Sequence, residues 1–313
     1  MFSTANRNRC SGQFADPDIP TAIAIYTDAK RAQRVSPNTL RIVDRVLGDF
    51  AAWAADNGIA RMSEITVLTI TAYIQHKARA VSPATLHQHY RNLRTFSYYI
   101  EDLTDGAIRS PFHSKALRAP KIPSTKQPAA TAEDVLSFCR AITGSQALRN
   151  RAFFLTAFDS GLRLAEVCAL RIRDVDLVTG RIEVLNGKGG KFRVSFVSAT
   201  ALRAIRRYLA ERVIVSDTEP LFMAASGGHL TEQGMQAIRY KIEARSGIRL
   251  GGFHALRRGF AKSFLKSGGD LITLQSLLGH AEVETTRGYV QLDPDELADM
   301  YARSSPLDQH RRK

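Results

Sequence analysis

Seven residues spread along the chain are of types that act on phosphate groups. Arginine presents a planar fork of donors that fits phosphate oxygens, histidine moves protons near neutral pH, and lysine can reach a leaving oxygen. A tyrosine hydroxyl becomes a nucleophile once a positive site and a proton acceptor activate it. In chain order these candidates are Arg163, Glu166, Lys188, His254, Arg257, His280 and Tyr289.

Two of the candidate groups combine their residues at helical spacing. Arg163 follows Gly161 at the predicted start of an apolar helix, where the dipole would help to seat a phosphate, and Glu166 lies close enough to brace the guanidinium. His254 and Arg257 share one face of a predicted helix, which suits phosphate chemistry better than metal binding. Each pair alone is also compatible with ordinary neighbours on a helix surface.

Lys188 and Tyr289 are each open to two interpretations. Lys188 lies between two glycines at a predicted hairpin tip, so it can approach a ligand or simply face solvent. The surrounding "GKGGK" lacks the spacing and the strand-to-helix context of a nucleotide-binding loop. Tyr289 follows the helix end at Gly279 and the pair Thr285–Thr286, and a tyrosine in such a segment packs more often than it reacts.

The charge of the chain favours a polyanionic partner. Lysine and arginine total 44 against 30 acidic residues, a formal net charge of +14 spread over 313 residues. Such an excess suits nucleic acid, although a basic but otherwise ordinary enzyme would share it. We find no apolar run of transmembrane length, no signal peptide, and no CxxC pair among the three cysteines. The cysteine usage fits a reducing cytosol.

The first third of the chain is predicted to be helical. Two similar pentads, "SPNTL" from Ser36 and "SPATL" from Ser82, combine a capping serine with a proline suited to the first helical turn. We predict a mobile tail over 1–20 and a small all-helical domain over 21–118. Its basic residues either face a phosphate backbone or form a solvated helix surface, and the DNA-binding candidates among them are Lys77, Arg79, His87, Arg91 and Arg94.

A basic, proline-rich linker is predicted over 119–130, and its Lys121 and Lys126 are further DNA-binding candidates. Thr131 begins the next domain, predicted over 131–303 and followed by a tail over 304–313. Its first helix should bury Val135, Leu136, Phe138, Cys139 and Ile142. Later helices are predicted over 201–213, 231–246, 254–267 and 271–278. The alternating segments around "NGKGGK" predict one hairpin, in which Lys191 and Arg193 are candidate DNA contacts. The fold class is therefore mainly α with a small β-sheet.

Four motifs in order make the chain resemble the tyrosine recombinase, or phage integrase, family and its Xer-like members. They are "SGLRLAE", "GKGGKFR", "HALR" and "LGHAEVETTRGY". Arg258 stands where many relatives carry histidine. The resemblance implies a helical SAM-like core-binding domain followed by an α+β catalytic domain.

The resemblance also implies the roles of the residues. Tyr289 would attack DNA to give a 3′-phosphotyrosine, Arg163 and Arg257 would clamp the phosphate, and His254 would move the tyrosine proton. Lys188 would protonate the leaving oxygen, His280 would bind the phosphate and Glu166 would orient Arg163. No metal or other cofactor is implied. The implied partner is duplex DNA at a specific site, which two protomers would bind and a tetramer would hold at synapsis. An accessory protein or a second recombinase is a possible further partner. The implied location is the bacterial cytoplasm, at the nucleoid.

Three alternatives stay open at this point. The chain could be a DNA-binding protein without strand transfer, a type IB topoisomerase, or a metal-dependent hydrolase that uses His254 and His280. The separate Ser-Pro helical domain and the short length favour the recombinase over the topoisomerase. The motifs do not separate integration, excision, resolution and transposition.

Overall fold

The structure, a computed structural model, describes residues 16–123, 128–184 and 192–279. The chain divides into two compact units, Met1–Thr125 and Lys126–Lys313. Several predicted site residues lie outside the described ranges: Lys126, Lys188, Lys191, His280 and Tyr289.

Helices dominate both units, and one pair of strands accompanies them, which confirms the predicted fold class. The helices are α1 (Ile19–Ala32), α2 (Pro37–Asp56), α3 (Val67–Ala78), α4 (Pro83–Leu103), α5 (Ala132–Arg140), α6 (Ala147–Asp159), α7 (Leu164–Ala169), α8 (Ala199–Leu209), α9 (Glu232–Ser246), α10 (Phe253–Lys266) and α11 (Leu271–Leu278). The strands are β1 (Arg181–Val184) and β2 (Arg193–Phe196). Among the described residues, no helix is both long and apolar enough to cross a membrane.

The two Ser-Pro pentads begin helices as predicted. The Ser36 hydroxyl accepts the Thr39 N–H at 3.1 Å, and the Ser82 hydroxyl accepts the Thr85 N–H at 3.3 Å. Each proline occupies the first turn, where its missing N–H costs no intrahelical bond. Helices α1 to α4 pack around one core whose largest fully buried side chains include Phe50, Tyr73, Phe96 and Leu93.

A polar network crosses the core of this first unit. The buried His89 shares a 2.8 Å hydrogen bond between its Nδ1 and the Tyr73 hydroxyl, and its Nε2 lies 3.9 Å from the Asp49 carboxylate. Lys77 donates to the same carboxylate at 2.8 Å. Burial, and then the charge of Lys77, lower the pKa of His89. The network ties α2, α3 and α4 together through neutral histidine and one ion pair.

The second unit is built around α6, which packs against α5, α8 and α10. Its core holds a cluster of aromatic rings in which Phe153 contacts Phe222 and Phe253. Helix α5 begins directly after Thr131, whose hydroxyl and the Asp134 carboxylate cap one another's backbone N–H groups. The predicted buried stripe of α5 is wrong at one position: the side chain of Leu136 is exposed.

The predicted hairpin is confirmed as an antiparallel pair in which Arg181 faces Phe196 and Val184 faces Arg193. The predicted helix over 201–213 is displaced and shorter, since α8 ends at Leu209. The apolar side chain of Val213 fitted the helical spacing, so this residue was included in the predicted helix. It lies in a loop whose N–H groups at Val215 and Ser216 bind the Glu219 carboxylate.

Candidate active site

Arg163 stands directly before α7, in extended backbone geometry. Its N–H donates to the Glu166 carboxylate at 2.7 Å, and its Nη1 donates to the other carboxylate oxygen at 3.0 Å. This is the predicted brace between the two residues. Because α7 spans only six residues, its dipole adds little to the predicted phosphate seat, and the positive charge comes from the guanidinium.

Glu166 has a second and more extensively bonded partner, Arg193 on β2. The Arg193 guanidinium is bidentate, with Nη1 and Nη2 at 2.9 and 2.6 Å from the two carboxylate oxygens. The two side chains are only 9% and 7% exposed. Arg193 was predicted from the sequence to be a DNA contact. In the structure the Arg193 guanidinium instead points into the protein, where the Glu166 carboxylate binds both Arg163 and Arg193.

The Glu166 carboxylate is held in its charged form. Burial by itself would raise the pKa of Glu166, but hydrogen bonds from the Arg193 side chain and the Arg163 backbone, together with both positive charges, lower it overall. The ionised carboxylate can therefore orient both guanidinium groups at neutral pH.

Arg257 is the largest fully buried side chain of the described residues, with 1% exposure. Its Nη1 donates to the Gly161 carbonyl at 2.6 Å and its Nη2 to the Leu278 carbonyl at 2.7 Å. A buried guanidinium is stable only when its donors are satisfied and its charge is compensated. Arg257 thus joins α10 to the peptide two residues before Arg163 and to the end of α11.

His254 lies one turn before Arg257 on the same face of α10, and its side chain is exposed. Partial desolvation lowers the pKa of His254 first, followed by the charges of Arg258, Arg257 and Arg163. The imidazole is therefore neutral at neutral pH and can accept a proton. The charges of Arg257 and Arg163 both act on His254, and Arg257 bonds the Gly161 carbonyl two residues before Arg163, so the structure places these three residues in one region.

Arg258, the residue after Arg257, is bonded to the segment that precedes α5. Its Nε donates to the Pro128 carbonyl at 2.8 Å. The Ala130 N–H donates to the Ala255 carbonyl at 3.0 Å, and a side chain at Gly259 would collide with the Ala130 carbonyl. The described residues that end the predicted linker are therefore fixed against α10.

The remaining DNA-binding candidates differ in their surroundings. Lys77 is committed to Asp49, the Nδ1 of His87 lies 2.9 Å from the Pro120 carbonyl, and Arg94 stacks on the Tyr98 ring. Arg79, Arg91 and Lys121 are exposed.

Within the ranges that the structure describes, no group of three or more His, Cys, Asp or Glu side chains is arranged to hold a metal ion. Burial raises the pKa of both Cys139 and Cys168 to about 12, so these cysteines are inert thiols at neutral pH.

Comparisons with known proteins identify the family of the chain. A model of the phage integrase family matches residues 129–296. A tyrosine recombinase XerC from Xanthomonas campestris pv. campestris (strain B100) is 33% identical over 305 residues, covering 95% of this chain and 91% of that protein.

Solved structures share the fold. The crystal structure of XerA recombinase is 25% identical with a TM-score of 0.52, and the alignment covers 92% of this chain and 99% of that one. The Tn1549 transposon integrase in complex with transposon right end DNA is 17% identical with a TM-score of 0.74, covering 92% and 99% of the two chains. The chain belongs to the phage integrase family and is a tyrosine-type site-specific DNA recombinase.

Proposed function

We propose that Tyr289 is the nucleophile of this recombinase and that Arg163, Arg257, His254, Lys188 and His280 complete its active site. The observation that carries the proposal is the convergence of Arg163, Arg257 and His254, which are up to 94 residues apart in sequence. Residues that are distant in sequence and meet around one position are a better sign of a site than any of the motifs alone.

The positive charge of this place suits a phosphate in the transition state. One carboxylate, Glu166, faces two guanidinium groups, and Arg257 adds a third nearby cation. Charge that grows on the non-bridging oxygens would be stabilised by Arg163 and Arg257, which are fixed before the reaction begins. Arg257 would exchange a carbonyl partner for the phosphate when DNA is bound.

The proton transfers balance in both directions. The Tyr289 oxygen forms a bond to phosphorus while the bond from phosphorus to the 5′-oxygen breaks. His254 takes the tyrosine proton, and Lys188 supplies a proton to the departing 5′-oxygen. His280 would donate a hydrogen bond to the phosphate. Because the phosphotyrosine keeps the energy of the broken ester, a 5′-hydroxyl from another strand can reverse the step.

The partner in this proposal is duplex DNA. Among the relatives of known structure, a lambda integrase dimer is bound to a core site and XerH is bound to its difH substrate. By analogy, we propose two protomers per site and a tetramer at synapsis in the bacterial cytoplasm, at the nucleoid. The helical unit would be the core-binding domain, with 119–130 as the linker and 131–303 as the catalytic domain.

The experiment is a covalent-trapping assay on nicked duplex DNA whose recombination site is first mapped from junctions beside the encoding gene. The wild-type protein should give a denaturant-resistant adduct. Tyr289→Phe should give none while it binds the same DNA with nearly unchanged affinity, because only one hydroxyl is removed. Tyr240→Phe, at a tyrosine 63% exposed on α9, is the matched control and should form the adduct normally. An adduct with Tyr289→Phe would refute the assignment.

A further inference from the structure

Two arginines converge on the C-terminal end of α11. The last carbonyls of a helix have no intrahelical donor and need another partner. Here the Leu277 carbonyl accepts from Arg193 Nε at 3.1 Å, and the Leu278 carbonyl accepts from Arg257 Nη2 at 2.7 Å. Positive charge at a helix C-terminus is also favourable for the helix dipole. This end of α11 is therefore set by side chains from β2 and α10.

Arg193 makes further connections beyond the end of α11. It binds both oxygens of Glu166 in addition to the Leu277 carbonyl. The stem of Arg193 also lies against Gly279, since a Cβ built on that glycine would be 2.6 Å from Arg193 Cδ. Gly279 has φ +66°, so the turn that ends α11 both needs a glycine and is shaped around the arginine.

These connections join three parts of the chain on which the proposed chemistry depends. Through Glu166, Arg193 acts on the orientation of Arg163. Arg193 itself is the first residue of β2 and follows Lys188 by five residues. Through Leu277 it holds the helix end that immediately precedes His280 in sequence. A single guanidinium thus connects β2, the Glu166 carboxylate that orients Arg163, and the end of α11.

We propose that Arg193 is a positioning residue for DNA strand cleavage, which aligns Arg163 through Glu166 and fixes the end of α11 without touching the DNA. This inference rests on the proposed function. It is distinct from a DNA-contact role, because the side chain is only 9% exposed and its guanidinium is bonded to Glu166 and Leu277.

The test compares Arg193→Gln and Arg193→Lys with the wild type on the nicked duplex described above. We expect single-turnover cleavage at saturating protein to fall about 10²-fold in Arg193→Gln, since misplacement of catalytic groups by about 1 Å has that effect. Arg193→Lys keeps the charge but loses the bidentate fork, so it should fall by a smaller factor. The DNA affinity and its salt dependence should not change.

A matched control separates positioning from general stability. Arg239 and Glu243 form another buried ion pair in the same unit, at 2.6 Å with side chains 6% and 12% exposed. Arg239→Gln should lower the melting temperature as Arg193→Gln does but leave the cleavage rate of the folded protein unchanged. If Arg239→Gln slows cleavage to the same extent, the effect of Arg193 is one of stability and the inference is wrong.

A double-mutant cycle then tests the route through Glu166. Glu166→Gln and Arg193→Gln should together cost clearly less than the product of their separate effects, because each removes the same support. Multiplicative effects would overturn the inference, as would a salt slope of DNA binding reduced by about one, which marks a lost phosphate contact.

The outcomes also distinguish this inference from the proposed function. If Arg193 variants cleave at the wild-type rate while Tyr289→Phe forms no adduct, only the role of Arg193 is wrong. If Tyr289→Phe forms the adduct, the proposed function itself is wrong. Arg193→Lys keeps the test decisive if Arg193→Gln does not fold.

Discussion

Each of the two units holds a small group of buried and partly buried charged and polar side chains, and the two groups differ in their balance of charge. In the first unit, Asp49 is paired with Lys77 beside neutral His89, so acid and base cancel. In the second, Glu166 faces both Arg163 and Arg193, which leaves one positive charge in excess.

The difference shows how similar residue types serve structure in one place and chemistry in another. In a balanced group the opposite charges neutralise each other, and the hydrogen bonds between its members hold helices together. A group with excess positive charge is costly to bury unless an anion completes it, and such imbalance is typical of functional sites. The first group therefore needs no ligand, whereas the second is suited to a phosphate.

The strongest test of the difference between the two groups changes the shape of a cationic side chain without changing its charge. Arg257→Lys should lower the cleavage rate at saturating DNA about 10²–10³-fold, the size of effect seen when one preorganised donor to a growing negative charge is lost. Lys77→Arg, the parallel exchange in the first unit, should leave the rate unchanged. Equal losses in both variants, measured by single-turnover cleavage, would mean that the two groups do not differ in kind.

The next effect is the dependence on pH. Because the pKa of His254 is lowered, the imidazole adds no further positive charge to the second group at neutral pH. The charge of Glu232 acts in the opposite direction to the three arginines and raises this pKa. At subsaturating DNA, cleavage should stay constant as pH falls through about 6.5, the ordinary value. Below the lowered pKa it should then drop about tenfold per pH unit as the proton acceptor is lost.

The lowered pKa of His254 also makes the free energy of unfolding depend on pH. Between the folded pKa of His254 and about 6.5 the unfolded chain binds more protons, so the free energy of unfolding should decrease as pH falls through this window. His254→Gln should lose both this contribution and the acid limb of cleavage. Stability and rate curves that coincide for the variant and the wild type would contradict the role of His254.

The smallest effect on catalysis is expected in the first unit. Tyr73→Phe removes the hydrogen bond to His89 and leaves a buried nitrogen unsatisfied, which should lower the free energy of unfolding by about 1–3 kcal/mol. The cleavage rate at saturating DNA should not change. Denaturant unfolding measures the free energy of unfolding, and the trapping assay measures the cleavage rate. Tyr98→Phe, which removes the hydroxyl of a partly buried tyrosine in the same unit, is the control variant.

Local features of the chain could be predicted from sequence because their physics is local. The Ser36 and Ser82 caps, the hairpin and the glycine end of α11 each depend on a few neighbouring residues. The ordered motifs likewise predicted Arg163 and Arg257 as parts of one site, and the structure bonds Arg257 to the Gly161 carbonyl, two residues before Arg163.

Features set by distant partners were missed. The bond between Arg193 and Glu166 joins residues 27 apart, and nothing in either neighbourhood distinguishes an arginine that pairs inward from one that faces DNA. The exposure of Leu136 depends in the same way on what packs against α5. The sequence held one clue to the role of Arg193. Glu166 has an obvious partner in Arg163, three residues earlier, and a carboxylate can bind a second arginine.

The attachment of residues 128–130 to α10 has a mechanical consequence. Pro128 and Ala130 are bonded to Arg258 and Ala255, on either side of the arginine that α10 buries, and Gly259 leaves no gap beneath them. A force that reaches Pro128 from the preceding chain would therefore act on the helix that carries His254 and Arg257, the proposed catalytic residues.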